Sequence, residues 1–383
     1  MKRVTLLSIF IAAIMIACSS SPEVEIPEDI ASMENVSVFS SNDEPAYNIE
    51  FERVASYGDT DDLIVGQMSG AGVGADGRVY LADASEMLVH IYEPTGTHIQ
   101  SIGGQGEGPG EFTGLNRPII YEDHLYAVDF MQQRISAFSM DDYSFDYTIN
   151  YGGNDSGMMG FPEQFTPLNN GNYLMVMSRM SGDGDQYTRE PELVIMDNSG
   201  EILDSEMVSF DSTNMLTVQA GNGGFMLMMP PYLRQSFVRS NSREEIVYAN
   251  SDRMFIRFFD LDGNYKRGVY HSHTNIPVNR SRILDNYEND EMRSAIRGET
   301  MPETMPIFDQ MHLDDEDRIW FAMVTEEEDE REYLLLDYEG EQLAAFTWPE
   351  GRSIQAIRDN HIYTQEENEM GLHKIVKYRI QLD

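Results

Sequence analysis

The sequence predicts an all-β protein whose strands form a six-bladed β-propeller. Short runs of Val, Ile, Leu, Tyr and Phe alternate with polar residues and are separated by Asp-Gly or Asn-Gly pairs, a pattern typical of strands joined by tight turns. The same unit of turn, strand, loop and further strands recurs along the chain, and a repeat of about 45 residues with four strands is typical of a propeller blade. The first turn of each unit lies near one of six residues: Asp76, Asp123, Asn170, Ser242, Asp315 and Asp359.

The spacing of these turns defines the blades. Successive turns are 47, 47, 72, 73 and 44 residues apart, so the third and fourth steps must contain insertions. One insertion, residues 221–233, is rich in Gly and Met, whereas the other, residues 279–299, carries a weak helical stripe of apolar residues. We therefore predict a single domain over residues 46–383, with blades at approximately 66–103, 112–153, 161–210, 211–273, 303–349, and 350–383 plus 46–58.

The last blade lacks one strand within its own unit. Residues 353–358, 361–365 and 372–381 supply three strands before the chain ends, whereas residues 47–57 precede the first unit and belong to no blade. Pairing this N-terminal strand with the last unit would complete four strands and leave no open edge in the ring. We therefore predict that the N-terminal strand closes the last blade.

The first residues are typical of an export signal. Lys2 and Arg3 precede a mostly apolar run over residues 4–16, which is too short to span a bilayer comfortably. Ala17 and Cys18 follow, and this ending resembles the lipobox of bacterial lipoproteins. The resemblance implies that residues 1–17 are a signal peptide and that Cys18 receives a lipid. The alternative is an ordinary secretory signal with an incidental Cys.

The next segment, residues 18–45, is rich in Ser, Glu and Pro, a composition typical of a solvated tether. A lipid on Cys18 would hold the mature protein at a membrane of the cell envelope. The resemblance favours the outer membrane without fixing the periplasmic or the surface side. Loss of residues 1–17 removes two cations and no acid, which changes the net charge from −40 to −42.

Composition excludes several functions. Asp and Glu total 66 against 26 Lys and Arg, a net charge of −40, so we expect no nucleic-acid partner. The hydrophobic share of 41% is sufficient for a large core. Because the chain has a single Cys, an internal disulfide framework and a Cys-based zinc site are both excluded.

Residues 101–138 carry a second resemblance. Ser101–Phe112 reads SIGGQGEGPGEF, and YAVD follows at 126–129 and RISAF at 134–138. These motifs resemble the NHL repeat and, more closely, six-bladed β-propeller lipoproteins of Gram-negative bacteria. The resemblance implies an NHL-like propeller and an envelope location. It implies no chemistry, because most proteins of this kind have no known activity.

Few motifs indicate catalysis or metal binding. The glycine-rich segment 103–110 lacks the Lys and the following helix of a phosphate-binding loop, so a crossover between blades is favoured. Asp183 and Asp185 are weak calcium candidates, because their segment lacks the Gly and Glu of an EF-hand. His271 and His273 lie on the same side of an extended strand, either as a metal pair or, as we favour, on solvated surface. We predict no other cofactor.

The loops between the second and third strands of the blades lie on the same side of a propeller as the crossovers between blades. We call this side the crossover face. Three of its six loops are distinctly acidic, including residues 325–331 and 365–369. The face would therefore attract cations or a basic partner, unless its acids serve only to keep the surface solvated.

The innermost strands of a propeller line a central channel, which is a concave place where small ligands commonly bind. Polar residues that enter these strands are our candidates for a binding site: Arg117, Gln164, Gln235, Asp309, His312 and Gln355.

We expect a non-catalytic binding module that contacts a peptide, a glycan or a partner protein through the crossover face. The alternative is a calcium-dependent enzyme, lactonase- or hydrolase-like, since other six-bladed propellers of similar outline hold calcium in the channel. That chemistry needs carboxylates and an Asn converging from several innermost strands. Asp309 is the one credible inner-strand acid, so binding is favoured and no catalytic residue is assigned.

Overall fold

Six β-sheets of at least four strands make up most of the protein. The computed structural model describes residues 24–41, 44–60, 63–152, 160–183, 186–205, 207–219, 224–327, 329–368 and 371–383. Within these residues, a hydrophobic cluster fills the space between each sheet and the next, all the way around the ring. The fold is a six-bladed β-propeller, and this confirms the fold class predicted from the sequence.

The chain enters the propeller through short elements and then builds the first two blades. The entry segment contains a helix and four strands: α1 (Glu28–Ala31), β1 (Val36–Ser40), β2 (Ile49–Tyr57), β3 (Asp59–Thr60) and β4 (Leu63–Ile64). Blade 1 has four antiparallel strands, given from the channel outwards: β5 (Met68–Val73), β6 (Val79–Asp83), β7 (Leu88–Tyr92) and β8 (His98–Gly103). Blade 2 has the same order: β9 (Ile119–Tyr121), β10 (His124–Asp129), β11 (Arg134–Ser139) and β12 (Phe145–Asn150).

Blades 3 and 4 are larger. Blade 3 has four strands and a further hairpin: β13 (Gly160–Pro167), β14 (Tyr173–Asp183), β15 (Gln186–Met196), β16 (Ile202–Asp204), and then β17 (Thr213–Gln219) and β18 (Phe225–Met228). Blade 4 has four consecutive strands: β19 (Ser236–Ser240), β20 (Ile246–Asn250), β21 (Phe255–Phe259) and β22 (Tyr265–Ser272). The entry strand β1 adds a fifth strand to blade 4 by pairing in parallel with β22.

Two helices precede the last two blades. They are α2 (Arg280–Asp285) and α3 (Asp290–Gly298), and their N-termini are capped by the side chains of Asn279 and Asn289. Blade 5 follows: β23 (Phe308–Leu313), β24 (Ile319–Met323), β25 (Glu330–Leu336) and β26 (Gln342–Pro349). Blade 6 supplies three strands from the end of the chain: β27 (Ser353–Arg358), β28 (His361–Glu367) and β29 (His373–Leu382).

The second strands of the blades are buried on both faces. Every residue of β6 and of β24 is buried, because each of these strands lies between the sheets of two neighbouring blades. Their sequences, VYLAD and IWFAM, are consequently almost continuous in apolar residues, unlike the alternating pattern of a half-exposed strand. Polar side chains are therefore displaced to the channel, the outer strands and the loops.

The ring closes through the N-terminal strand. β2 pairs antiparallel with β29, from Ile49 opposite Leu382 to Tyr57 opposite Ile375, and completes the fourth, outer strand of blade 6. This confirms the predicted closure.

Residues 211–273 do not form one blade as predicted. β17 and β18 extend the sheet of blade 3, because β17 pairs with Tyr187–Arg189 at the outer end of β15. Blade 4 begins only at Ser236. The length of the third step indicated an insertion. The blade to which the inserted strands belong is decided by this long-range pairing, which the length does not reveal.

Part of the predicted tether is also folded onto the propeller. Ile30 is buried against Phe255 and Tyr270, and Asp29 forms an ion pair with Arg253 at 2.7 Å. The apolar residues scattered among Ser and Glu in residues 24–40 cover blade 4, so this stretch is not a solvated tether. No helix in the described parts of the chain is long and apolar enough to cross a membrane.

Candidate functional site

Arg117 passes along the innermost strand of blade 1 and links the two blades on either side of it. It lies just before β9 of blade 2, and its Nη1 donates a hydrogen bond to the backbone oxygen of Gln355 in blade 6, at 3.1 Å. The side chain passes the innermost strand of blade 1, where Gly70 has no side chain. A Cβ at Gly70 would lie 2.7 Å from Cβ of Arg117, so this glycine provides the space that the arginine occupies.

Two further basic side chains share this part of the channel. Arg239 lies on β19 of blade 4, and His312 lies on β23 of blade 5. Burial, followed by the positive charges of Arg239 and Arg117, lowers the pKa of His312 to about 3. Burial lowers the pKa of Arg239 to about 10; the charge of Glu163 opposes this shift, whereas the charges of Arg117 and Arg189 add to it. We call Arg117, Arg239 and His312 the channel cluster.

The two arginines of the channel cluster have no carboxylate partner among the described residues. Arg239 donates to the backbone oxygen of Val238 at 2.8 Å, and the nearby Glu163 is already paired with Arg189. Both guanidinium groups stay charged at neutral pH. The channel of a strongly acidic protein therefore contains two arginines outside any ion pair of the described residues, which favours the binding of an anion.

The structure brings together Arg117, His312 and Gln355 of the six residues that the sequence predicted to line the channel. Gln164 lies on the innermost strand of blade 3 and donates to Ser240 on the innermost strand of blade 4 at 2.9 Å. Gln235 accepts a hydrogen bond from Arg189 at 3.4 Å, near the start of blade 4.

Asp309, the sixth candidate, is engaged elsewhere. It forms an ion pair with Arg331 at 2.6 Å, and Arg331 is also paired with Glu350. Burial raises the pKa of Asp309, and the charge of Arg331 opposes that shift. These paired groups lie in a pocket of about 430 Å³ between α2 and blade 5, which Glu326 and Glu327 also line. The pocket is thus acidic, in contrast to the channel cluster.

Sequence reasoning missed Arg239. It assigned Gln235 to the channel of blade 4, because the insertion in the third step obscured where the innermost strand begins. The strand covers Ser236–Ser240, and a lone cation in such a short, partly apolar strand is the signal that would have identified Arg239.

Three other predicted residues are not tested. Cys18 and Asp185 lie outside the described residues, and the side chain of Asp183, at the end of β14, is likewise not described. The lipid attachment and the calcium hypothesis therefore stay predictions.

The histidine pair is not on solvated surface as favoured above. His271 is buried, because β1 covers the outer strand of blade 4 and Phe39 stacks on the imidazole with ring centroids 4.9 Å apart. The Nε2 atom of His271 lies 2.8 Å from the backbone oxygen of Gly340 in blade 5. The ring therefore joins two blades.

The crossover face also carries exposed apolar side chains. Met131 and Phe161 are 66% and 51% exposed, and Phe130 packs against Phe161 with ring centroids 6.0 Å apart. They lie in the loop of blade 2 and at the start of the innermost strand of blade 3. The hairpins β14–β15 and β17–β18 extend from the same side of blade 3. They therefore project beside the exposed apolar side chains on this part of the face.

Comparison with known proteins agrees with this fold. Residues 60–232 match a family model described as a 6-bladed beta-propeller, which confirms the resemblance to such proteins. A solved structure described as an exported protein of Bacteroides fragilis is 12% identical, covers 90% of this chain and 99% of its own, and has a TM-score of 0.54. A member of the duf4221 family from Bacteroides vulgatus is 9% identical, with coverages of 88% and 100% and a TM-score of 0.52. At these identities the likeness shows the fold alone.

Catalytically inactive virginiamycin B lyase from Staphylococcus aureus is also similar in outline. It is 9% identical, covers 87% of this chain and 99% of its own, and has a TM-score of 0.44. A likeness this low carries no argument about activity. No curated protein matches the sequence.

Proposed function

We propose that this propeller is a non-catalytic binding module whose channel holds an anionic group of its ligand. The observation that carries the proposal is the pair of guanidinium groups, Arg117 and Arg239, that face one part of the channel without a carboxylate partner among the described residues. A charge enclosed by protein is costly unless it is paired. A carboxylate, sulfate or phosphate of the ligand would supply that pairing.

The chemistry of guanidinium favours such a ligand. Arginine presents planar N–H donors that match the oxygens of carboxylates and phosphates, and hydrogen bonds between charged groups are among the strongest in proteins. His312 stays neutral at pH 7, because its pKa is lowered to about 3. The positive charge of the channel cluster therefore comes from its two arginines, and Nε2 of the neutral ring lies 3.3 Å from Oε1 of Gln310.

The crossover face supports a ligand larger than the anion itself. The exposed side chains of Met131 and Phe161 offer apolar contacts beside the channel, and exposed apolar surface of this kind often marks a binding site. This combination fits a peptide or a protein segment that presents a carboxylate better than it fits a neutral glycan.

The arrangement does not favour the calcium-dependent enzyme. A calcium ion in the channel would need several converging oxygen ligands, and the channel cluster would repel it. Asp309, the acid on which that alternative depended, is ion-paired with Arg331 and lies in the pocket beside α2.

Calorimetric titration with citrate, sulfate and phosphate, at constant ionic strength in chloride, tests the proposal. We expect one site per chain for at least one of these anions. Arg117→Gln and Arg239→Gln should each weaken binding by about tenfold or more, because each removes a charge-assisted hydrogen bond. Arg53→Gln is the matched control, since Arg53 is an exposed arginine on the outer strand β2. Absence of saturable binding, or equal losses in all three variants, would contradict the proposal.

We further propose that the protein is exported and held at the outer membrane by a lipid on Cys18. The signal-like residues 1–17 support this location, and so does the description of the Bacteroides fragilis neighbour as an exported protein. In cells fed labelled palmitate, the wild-type protein should incorporate label and partition into detergent, whereas Cys18→Ser should do neither. Undiminished labelling of Cys18→Ser would show that the lipid is attached elsewhere.

A further inference from the structure

The second strands of blades 1 and 2 each end in an aspartate at the same position of the blade, which we call the corner aspartate. Asp83 is the last residue of β6, and Asp129 is the last residue of β10. Each carboxylate accepts backbone N–H groups from the crossover before its blade and from the loop after its strand. The corner aspartate thus joins the crossover to the loop in both blades.

In blade 2 both carboxylate oxygens of the corner aspartate are occupied by donors of the protein. Oδ2 of Asp129 accepts the backbone N–H of Thr113 at 2.7 Å and the side-chain N–H of Gln132 at 2.9 Å. Gln132 lies three residues after the aspartate. From the third strand, Ser136 occupies the buried position opposite Ala127.

Blade 1 has different residues at the two equivalent positions. Glu86 lies three residues after Asp83, where blade 2 has Gln132, and His90 lies seven residues after Asp83, where blade 2 has Ser136. An ionised Glu has no proton to donate to the aspartate. The amide donor of blade 2 is therefore replaced in blade 1 by a second carboxylate and an imidazole.

His90 points an unpartnered nitrogen at these carboxylates. The residue is 1% exposed, and its Nδ1 lies 2.7 Å from Oγ of Ser101. Its Nε2 has no hydrogen-bond partner in the structure and lies 3.8 Å from Oδ2 of Asp83, which is too long for a hydrogen bond. A buried polar nitrogen without a partner is rare and costly.

The second carboxylate oxygen of Asp83 is available as well. Oδ1 accepts from Gln67 and Ser85, whereas Oδ2 accepts one hydrogen bond, from the backbone N–H of Gly66 at 2.8 Å. Ligand atoms of Asp83, Glu86 and His90 all lie within 4.8 Å of one another. Glu86 is exposed. An ion can therefore reach the cluster from solvent, and the Glu86 carboxylate can move towards it by rotation of the side chain.

We propose that Asp83, Glu86 and His90 form a binding site for a divalent transition-metal ion, for which Zn²⁺ is the appropriate probe. One imidazole nitrogen and two carboxylate oxygens are a common ligand set for Zn²⁺, whereas Ca²⁺ prefers oxygen ligands alone. Ser101 supports this assignment, because metal-binding histidines usually donate their other N–H to a hydrogen-bond acceptor. The bound ion would fix the loop at residues 84–87 against the crossover that leads from blade 6 into blade 1.

Titration of the full, chelator-treated chain with ZnCl₂, and separately with CaCl₂, tests the site. The wild-type protein should bind one Zn²⁺ with an increase in Tm and should bind Ca²⁺ more weakly. Glu86→Gln recreates the corner of blade 2, so it should keep the fold while weakening Zn²⁺ binding by at least about tenfold, since even loss of a residue that supports a metal ligand commonly costs that much. His90→Ser, the other residue of blade 2, should weaken binding similarly.

Gln132→Glu is the matched control. It gives blade 2 a second carboxylate but no imidazole, so Zn²⁺ binding should equal that of the wild type. The proposal is overturned if the wild type takes up no stoichiometric Zn²⁺, if Glu86→Gln binds as tightly as the wild type, or if Ca²⁺ binds more tightly than Zn²⁺.

Discussion

Arg117 lies in the channel because a neighbouring blade leaves room for it. The innermost strand of blade 1 reads MSGAGV, and its Gly70 lies against Cβ and Cγ of Arg117. A methyl group there would displace the arginine from its contact with Gln355. The proposed anion site thus depends on Gly70, which has no side chain to bind a ligand itself.

His312 makes stability depend on pH. Burial and the two channel arginines lower its pKa to about 3 in the folded protein, whereas a histidine in the unfolded chain takes up a proton below about pH 6.5. As the pH falls below that value, the proton favours the unfolded state, so stability is lost. Relative to His312→Gln, the wild type should lose roughly 2 kcal/mol between pH 8 and pH 5, measured by urea unfolding in chloride.

His124 provides a control of opposite sign. Burial opposes protonation of this ring, but its hydrogen bonds to Asp146 and Asp123 outweigh that effect and raise its pKa. Its stabilising contribution is therefore present below about pH 6.5 and is lost as the pH rises through the raised value. Glutamine at position 124 should cost more stability at pH 5 than at pH 8. Parallel profiles for the wild type and His312→Gln would contradict the channel environment described for His312.

Individual site residues were predictable only where the strand boundary was clear. Arg117, His312 and Gln355 follow from counting residues into the innermost strands, whereas Arg239 was missed because an insertion obscured the start of blade 4. The unpaired state of the two arginines was not predictable from the sequence, because ion pairs such as Arg331 with Asp309 join residues far apart in the chain.

At the scale of elements, the two N-terminal strands have different roles. β2 completes blade 6 and buries Tyr57 in the cluster between blades 6 and 1, whereas β1 only adds an outer edge to blade 4. Closure by β2 was predictable, because the last unit supplies three strands and one strand was left over. The docking of β1 was not, since a five-residue strand in a Ser-rich segment does not indicate which of six outer edges it joins.

Two truncations separate these roles. A chain that begins at residue 44 loses α1 and β1 but keeps the closing strand, and it should remain folded with a modest decrease in Tm. A chain that begins at residue 59 also loses β2 and the buried Tyr57, which should cost about 3 kcal/mol or more and leave the protein unfolded or aggregated. Circular dichroism and thermal melting measure both, and equal melting temperatures would contradict closure by β2.

At the scale of the whole molecule, charge is separated between the surface and the channel. The net charge of −40 predicted an acidic exterior, and the pocket beside α2 is indeed lined by several acids. The channel cluster is positively charged, in contrast to the net negative charge of the protein. Composition therefore favours no nucleic-acid partner, but it could not reveal a local cluster whose charge is opposite to that of the molecule.

The overall fold was predictable from the sequence repeat. Six recurring turns were sufficient to predict six blades and their order, because each blade is local in sequence. The prediction assigned residues 211–273 to blade 4, yet β17 and β18 within this range extend blade 3. Their position depends on pairing with the end of a long hairpin, which periodicity does not describe.

The central claim is that the channel is an anion site, and anomalous diffraction from a crystal soaked in selenate tests it most directly. Selenate shares the charge and shape of sulfate, and selenium is located by its own anomalous signal. We predict a selenium peak in the channel, with selenate oxygens about 3 Å from guanidinium nitrogens of both Arg117 and Arg239. A channel without selenate, or one in which both arginines are paired with carboxylates of the chain, would contradict the claim.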